Sequence, residues 1–161
     1  MVLDFDGVMT DGCVYTEGNG NETIRTSRRD GLGILMLKRA GIKVVVISTE
    51  INPVVLARCN KLNIPCFQNS GLSKGKLARL VELAKTEELG QDEIAYIGDD
   101  LNDLDPMTFA GIKITVADGH PKLKRVANII TKAEGGNHAV REVCDLILRI
   151  KKVAEEKLLD T

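Results

Sequence analysis

The sequence predicts an α/β fold in which helices cover both faces of a doubly wound parallel sheet. Apolar runs of strand length alternate with segments of helical period along the chain. One such run, residues 44–47, lacks the polar alternation of a half-exposed strand, as expected for a strand covered on both faces. Repeated βα units of this length favour a parallel, doubly wound sheet. The chain has 161 residues, so we expect a single domain spanning 1–161 around one core.

The first half of the chain is predicted to supply three strands and two helices. A short strand at 2–3, extending to residue 5, is followed by a helix at 31–40, a strand at 43–48, a helix at 53–62 and a strand at 65–67. Between 11 and 30 the pattern changes, because Val14 and Tyr15 lead into a turn rich in glycine and asparagine. This predicts a β-hairpin inserted at about 12–28.

The second half continues the same alternation. Helices are predicted at 74–85, 102–110 and 121–126, and strands at 93–97, 112–116 and 128–130. The C-terminal segment 139–157 is predicted to form a long amphipathic helix. Its apolar stripe consists of Val140, Val143, Leu146, Ile147 and Ile150.

Composition excludes several classes of function. The formal net charge is −1, from 22 basic and 23 acidic residues, so the chain has no overall field that would hold nucleic acid. No apolar run approaches the roughly 20 residues that span a bilayer, and no signal segment opens the chain, so we expect a cytoplasmic protein. The four cysteines show no CxxC spacing and are interpreted as small apolar residues rather than zinc ligands or a redox pair.

Polar side chains follow three of the predicted strands, where ligands bind in parallel α/β sheets. Asp4 and Asp6 follow the first strand, residues 48–50 follow the second, and Asp99 and Asp100 follow a third. Two carboxylates in one small site repel each other unless a cation or a proton intervenes. The Asp4–Asp6 pair therefore predicts a bound metal ion, a proton shared between the two carboxylates, or both.

Each of these residues also has an ordinary structural explanation. An isolated Asp-x-Asp-Gly is a common turn, and a serine at a strand end is often the N-cap of the next helix. Residues 98–103 resemble an N-cap followed by an acidic first turn. Lys76 is by itself a typical solvated helix residue, and Lys74 competes with it for any role at the site. It is their joint occurrence, in this order and at strand ends, that favours a metal-dependent phosphoryl site.

Taken in order, these pieces resemble the haloacid dehalogenase superfamily of phosphohydrolases. They are Asp4-x-Asp6-Gly7-x-x-Thr10, Ser48 after an apolar strand, Lys76, and the stretch 98–103. The resemblance covers essentially the whole chain. It implies that Asp4 is a nucleophile that forms an aspartyl-phosphate, and that Asp6 is the general acid and base. It also implies that Ser48 and Lys76 hold the transferring oxygens.

The same resemblance implies a Mg²⁺ cofactor, since this ion prefers oxygen ligands. The implied ligands are Asp4, the main-chain carbonyl of Asp6, and Asp99. The supporting residues are Thr10, Thr49, Asp100, Asn102 and Asp103.

Further segments narrow the resemblance to one branch. Residues 30–34, 52–55 and 135–143 look like the 3-deoxy-D-manno-octulosonate 8-phosphate phosphatase group, and the chain has no room for the cap domain of other superfamily members. The resemblance implies a homotetramer in which the hairpins form a central barrel and neighbouring subunits complete each site.

One departure bears on the substrate. Octulosonate phosphatases commonly have Thr-Gly-Arg or Ser-Gly-Arg where this chain has Ser48-Thr49-Glu50, which looks more like modules associated with acylneuraminate cytidylyltransferases. A glutamate accepts hydrogen bonds from hydroxyls but repels a carboxylate, which favours a nonulosonate 9-phosphate. Candidate substrate-binding residues are Glu50, Arg58, Lys61 and Arg141. The alternatives for the three cations are solvated charges and, for Arg141, pairing with Glu142 or Asp145.

The leading interpretation is a Mg²⁺-dependent phosphatase of a 2-keto-3-deoxy sugar acid, either a nonulosonate 9-phosphate or 3-deoxy-D-manno-octulosonate 8-phosphate. One alternative is a non-catalytic oligomerisation module associated with a cytidylyltransferase. The other is a phosphatase of broad specificity for small molecules.

Overall fold

A computed structural model describes residues 1–154 and Leu158. Six parallel strands form the main sheet, in the spatial order β5-β4-β1-β6-β7-β8. They are β1 (Val2–Leu3), β4 (Val45–Ile47), β5 (Cys66–Phe67), β6 (Ala95–Gly98), β7 (Ile112–Thr115) and β8 (Ile129–Ile130). The remaining strands, β2 (Tyr15–Thr16) and β3 (Glu22–Thr23), pair antiparallel in a hairpin within the predicted region 12–28.

Among the described residues, six helices cover the two faces of this sheet. They are α1 (Arg28–Arg39), α2 (Pro53–Leu62), α3 (Ser73–Thr86), α4 (Leu104–Phe109), α5 (Pro121–Val126) and α6 (Ala139–Ile150). Buried residues of α1, α2 and α6 form one apolar cluster with Leu3 and Val46. Those of α3, α4 and α5 form a second cluster with Val2 and Ile47. Neighbouring strand residues thus serve opposite faces, and the predicted doubly wound parallel sheet is confirmed, with no cap domain among the described residues.

The differences from prediction have local causes. The segment predicted as a helix at 102–110 begins with a 3-10 turn, Leu101–Asp103, before α4. The C-terminal helix was predicted too long, because α6 ends at Ile150 and Lys152 adopts a left-handed backbone with φ of 54° that cannot continue a helix. Residues 155–157 of that predicted helix lie outside the described residues.

Parallel strands place their carboxyl ends at a common edge, and this positions the candidate site. The residues that follow β1, β4 and β6 meet there around one open cleft. Within the described part of the chain, none of the helices is both long and apolar enough to cross a membrane.

Candidate active site

The turn after β1 places Asp4 and Asp6 at the cleft. The N–H of Asp4 still donates to the carbonyl of Ile97 at 2.9 Å, so Asp4 continues the sheet pairing for one residue. The carbonyl of Phe5 then accepts the N–H of Met9 at 2.8 Å, which closes a tight turn. Gly7 in this turn has φ of +79°, a conformation that residues with a Cβ rarely adopt.

Thr10 orients Asp6. Its hydroxyl oxygen accepts the N–H groups of Gly7 at 3.2 Å and Gly12 at 3.1 Å. The proton of that hydroxyl is therefore directed to Asp6 Oδ1, at 3.3 Å. The threonine of the first motif thus holds both the turn and the side chain of the candidate acid.

Lys76 connects two of the carboxylates. Its Nζ lies 2.7 Å from Asp4 Oδ1 and 2.7 Å from Asp103 Oδ1, and the lysine is fully buried. Lys74, its sequence competitor, is exposed. The two residues lie on different faces of α3, and only Lys76 points beneath the cleft.

The main chain of Asp99 is held on both sides. Its N–H donates to Asp103 Oδ2 at 3.1 Å, and its carbonyl accepts the N–H of His120 at 2.7 Å. Asp100 instead caps the 3-10 turn by accepting the N–H of Leu101 at 2.7 Å. Asp100 therefore has the capping role that the alternative explanation proposed, and both Asp99 and Asp100 line the cleft.

A distant loop covers the outer side of the first turn. The N–H of Gly136 donates to the carbonyl of Val8 at 3.1 Å. A Cβ on Gly135 would lie 1.9 Å from the carbonyl oxygen of Gly7, which leaves space for glycine alone. The double glycine lets two stretches of backbone pack directly against each other beside Asp4 and Asp6.

These elements surround a cleft of about 370 Å³. Ser48, Thr49 and Glu50 line it on the β4 side, together with Asp4, Asp6, Asp99, Asp100, Leu101, Asn102, Leu72, Gly7 and Gly12. Ser48 is buried, and its oxygen accepts the N–H of Glu50 at 3.0 Å, so the hydroxyl keeps a proton to donate. The N-cap of α2 is Asn52 rather than Ser48, so Ser48 does not have the capping role that its position at a strand end suggests.

Burial and mutual repulsion shift the acidity of the cluster. Burial raises the pKa of Asp4 well above its usual range; Asp103 adds to this and Lys76 opposes it. Burial also raises the pKa of Asp6, although the Thr10 hydrogen bond acts the other way. For Lys76, burial acts to lower the pKa, but Asp4 and Asp103 outweigh it and the pKa is raised. The lysine therefore stays charged, and Asp6 is displaced toward the range useful for proton transfer.

The acidic cluster fits a Mg²⁺ ion. Oxygens of Asp4, Asp99 and Asp103 lie within 4.8 Å of one another. Both oxygens of Asp103 already accept hydrogen bonds, from Lys76 and Tyr96 on one and Asp99 N–H on the other, so Asp4 and Asp99 are the better donors. Asn102 Oδ1 is buried without a hydrogen-bond partner and belongs to a residue lining the same cleft. An oxygen-only donor set with one unsatisfied oxygen is suited to a hard cation that keeps its waters.

The pKa of Asp99 predicts how the metal-free protein responds to pH. Burial, and then Asp103, raise the pKa of Asp99 from 3.8 to about 7. A folded-state pKa above the unfolded value means that the fold binds the extra proton, so the free energy of unfolding falls as pH rises from about 4 to about 7. Mg²⁺ binds the ionised carboxylates, so its stabilising effect grows over the same interval. Thermal unfolding with EDTA and with Mg²⁺, from about pH 4 to about pH 8, measures both trends.

The control for this experiment is Asp99→Asn, which cannot ionise. It should flatten part of the pH dependence and weaken the Mg²⁺ effect. The pKa values of three other carboxyls, Asp4, Asp6 and Asp30, are also raised, so these groups should account for the rest of the pH dependence. A metal-free protein that gains stability between these pH values would contradict the prediction.

The predicted substrate-binding cations lie outside the cleft of their own chain. Arg58 belongs to α2, and its side chain donates to the carbonyl of Ser27, the N-cap of α1, at 2.8 Å. Lys61 is exposed on α2. The side-chain Nε of Arg141 donates to Asp145 Oδ1 at 2.6 Å, and the main-chain N–H of Arg141 donates to Asp30 Oδ1 at 2.9 Å. Their predicted contact with substrate would therefore come from a neighbouring subunit.

The sequence analysis missed Tyr96, whose hydroxyl donates to Asp103 Oδ1 at 2.7 Å. In the sequence it occupies an apolar strand, where a tyrosine is usually a core residue. The only available signal was its position three residues before Asp99 in a strand that ends at the site.

Comparison with known proteins gives a consistent result. Residues 60–143 match the haloacid dehalogenase-like hydrolase family. The chain is 39% identical over 158 residues to the 3-deoxy-D-manno-octulosonate 8-phosphate phosphatase of Yersinia pestis, covering 98% of this chain and 81% of that protein. It is 37% identical over 148 residues to the enzyme of the same name from Escherichia coli K12, covering 92% and 78%.

Solved structures show the same likeness. A phosphatase of that name from Moraxella catarrhalis, in complex with a magnesium ion, a phosphate ion and KDO, has a TM-score of 0.87 and 38% identity, covering 92% of this chain and 84% of its own. A probable phosphatase from Pseudomonas syringae has a TM-score of 0.91 and 36% identity, covering 97% and 88%.

Proposed function

Because the chain belongs to the haloacid dehalogenase-like hydrolases and is a phosphoric monoester hydrolase, we propose that it removes the phosphate from a 2-keto-3-deoxy sugar acid through an aspartyl-phosphate on Asp4. The observation that carries this proposal is the buried ion pair of Asp4 and Lys76, 2.7 Å apart, at a cleft that also contains Asp6, Ser48 and Asp99. We also propose that residues 1–161 form a single phosphatase domain.

The reaction proceeds in two displacements. An oxygen of Asp4 attacks phosphorus, the bond from phosphorus to the sugar oxygen breaks, and Asp6 gives its proton to the departing alkoxide. Asp6 then takes a proton from a water molecule, whose oxygen attacks phosphorus as the bond to Asp4 breaks. The products are the sugar acid and inorganic phosphate, and both carboxyl groups return to their starting states.

The surrounding residues stabilise charge on the phosphoryl oxygens. Lys76 already holds Asp4 Oδ1, which orients the carboxylate and supplies positive charge next to the attacking oxygen. The Ser48 hydroxyl belongs to a residue that lines the same cleft and can donate to a phosphoryl oxygen. Bound Mg²⁺, held by Asp4 and Asp99 and the main chain of Asp6, would reduce repulsion between the anionic nucleophile and the anionic phosphate.

The relatives favour an eight-carbon substrate. Two of them, at 39% and 37% identity, are 3-deoxy-D-manno-octulosonate 8-phosphate phosphatases. A nonulosonate 9-phosphate is the second candidate, and Glu50 is the observation that favours it. Glu50 lines the same cleft as Asp6, so its carboxylate can meet a substrate bound there.

The charge of the cleft supports a multi-subunit site. Its lining residues include Asp4, Asp6, Glu50, Asp99 and Asp100, and no Lys or Arg among the described residues lines it. A sugar acid carries a carboxylate that this lining would repel. A homotetramer in which Arg58, Lys61 or Arg141 reaches a neighbour's cleft would supply the missing cation. The resemblance to cytidylyltransferase-associated modules adds such an enzyme to the proposed partners.

The function is tested by phosphate release from three substrates, with and without Mg²⁺. They are 3-deoxy-D-manno-octulosonate 8-phosphate, a nonulosonate 9-phosphate and p-nitrophenyl phosphate. We expect Mg²⁺-dependent release with a large preference for one sugar acid. Equal rates on all three would favour a phosphatase of broad specificity, and no release from any would favour the non-catalytic module.

Glu50→Arg tests the assignment of the substrate. The change removes a carboxylate that repels the sugar carboxylate and adds a guanidinium that can bind it with two hydrogen bonds. We expect the ratio of kcat/KM for the eight-carbon over the nine-carbon substrate to rise about tenfold.

Glu88→Arg is the matched control, because Glu88 is exposed after α3 and lines neither the catalytic cleft nor the hollow beside Glu50. It makes the same change in charge and should leave the ratio unaltered. An unaltered ratio in Glu50→Arg as well would remove Glu50 from substrate selection.

A further inference from the structure

We propose that Tyr96 is a positioning residue whose hydroxyl fixes the Asp103 carboxylate, and through it both the Lys76 ammonium and the main chain of Asp99. The kinetic consequence rests on the phosphatase chemistry proposed above. The geometric claim concerns the metal-free protein and stands separately.

The hydrogen bonds of Asp103 form a branched connection. Its Oδ1 accepts from Tyr96 Oη at 2.7 Å and from Lys76 Nζ at 2.7 Å. Its Oδ2 accepts the N–H of Asp99 at 3.1 Å. One buried carboxylate therefore sets the position of the lysine that holds Asp4 and of the main chain that carries Asp99.

Backbone packing brings Asp103 within reach of Tyr96. A Cβ on Gly98 would lie 2.4 Å from Asp103 Cβ and 2.5 Å from its Cγ, so only glycine lets the carboxylate lie over the end of β6. Tyr96 stands two residues earlier on the same strand and therefore points to the same face. On this face of β6, Tyr96 provides a hydroxyl and Gly98 leaves space beside it. The Asp103 carboxylate occupies that space.

Without the hydroxyl, Asp103 Oδ1 would have Lys76 as its one strong donor. The carboxylate would then be held by Lys76 on Oδ1 and by the Asp99 N–H on Oδ2, and a small turn about Cβ–Cγ would shift both of these groups. Tyr96, Asp103 and Lys76 are all fully buried, so water does not replace the missing donor readily. Burial, and then Asp103, raise the pKa of Tyr96 well above its usual range, so the tyrosine remains protonated and continues to donate.

Filling of the core does not account for this arrangement. Tyr96 packs in the apolar cluster with Leu80, Met107 and Leu123, where a phenylalanine would fill nearly the same volume. The hydroxyl adds nothing to that packing and would be costly to bury without a partner. Its partner is the carboxylate that holds Lys76.

The test is Tyr96→Phe, with Tyr15→Phe as the matched control, since Tyr15 is 70% exposed on the hairpin. In the metal-free protein, the amide proton resonance of Asp99 should move in Tyr96→Phe and remain unchanged in the control. With p-nitrophenyl phosphate, kcat should fall about tenfold while KM changes less than about twofold, as for an interaction made mainly in the transition state. Calorimetric titration should show weaker Mg²⁺ binding.

A Tyr96→Phe protein with an unshifted Asp99 resonance and wild-type kcat would overturn the proposal, as would a lower melting temperature with no other change. Should Tyr96→Phe fail to fold, 3-fluorotyrosine at position 96 keeps the ring and the hydroxyl but alters the strength of the donor. It should shift the Asp99 resonance, and an unshifted one would again overturn the proposal. If the proposed function is wrong, Asp4→Asn should remain active. That outcome would not change the expected shift of the Asp99 amide proton resonance in Tyr96→Phe.

Discussion

Asp4→Asn is expected to lower kcat by about 10⁴-fold or more, because the amide is a far weaker nucleophile than the carboxylate that we propose forms the acyl phosphate. The fold should survive. The asparagine carbonyl can still accept from Lys76, and the substitution removes a negative charge from beside Asp103 and Asp99. In EDTA, the melting temperature should therefore be unchanged or higher.

Two measurements establish the cause of the loss. Borohydride reduction of the phosphorylated wild-type enzyme should convert residue 4 to homoserine, whereas the variant should show no such product. Asp92→Asn is the control, because Asp92 is exposed in the 3-10 turn before β6 and lines no part of the cleft. A near-normal rate in Asp4→Asn would exclude Asp4 as the nucleophile.

Lys76→Met is expected to damage stability and catalysis together. Lys76 is the cation between two buried carboxylates, so its removal leaves Asp4 and Asp103 repelling each other in a medium that solvates neither. Breaking a buried ion pair in this way costs about 3–5 kcal/mol of unfolding free energy. We also expect kcat to fall about 10³-fold, since a preorganised charge next to the reacting oxygens is lost.

Lys74→Met is the matched control. Lys74 lies two residues earlier on α3 and is exposed, so the same substitution there should change the free energy of unfolding by less than about 0.5 kcal/mol. Urea denaturation in EDTA compares the two variants. A loss of under about 1 kcal/mol in Lys76→Met would mean that the buried contacts of Lys76 contribute little to the free energy of unfolding, contrary to this prediction.

The positions of the site residues could largely be predicted, because strand ends in a parallel sheet converge. Asp4, Asp6, Ser48 and Asp99 each follow an apolar run, and the cleft contains all four. The choice between Lys76 and Lys74 could not be made in this way. Residues two apart on a helix face different directions, and which of them is buried depends on how α3 packs against the sheet.

Contacts that depend on tertiary packing were the least predictable. The apolar strand pattern around Tyr96 does not predict that its hydroxyl donates a hydrogen bond to Asp103, which lies beyond the following turn. Likewise, only the family resemblance drew attention to Gly135 and Gly136 in the sequence, whereas the structure shows that they approach Gly7 and Thr10 so closely that no room is left for a Cβ. Local pattern also overestimated α6, because a left-handed residue ends the helix although the apolar stripe remains favourable.

The contact of Gly136 with Val8 has a consequence for synthesis on the ribosome. Asp4 and Asp6 are translated long before the loop that covers their turn, because that loop follows all six strands of the main sheet in the chain. A nascent chain that has not yet reached Gly135 carries both aspartates without that support. Such non-local closure slows folding, and it makes catalytic competence a late event in the life of each molecule. Phosphatase activity measured on stalled chains of increasing length would thus report when the two distant segments of the chain first meet.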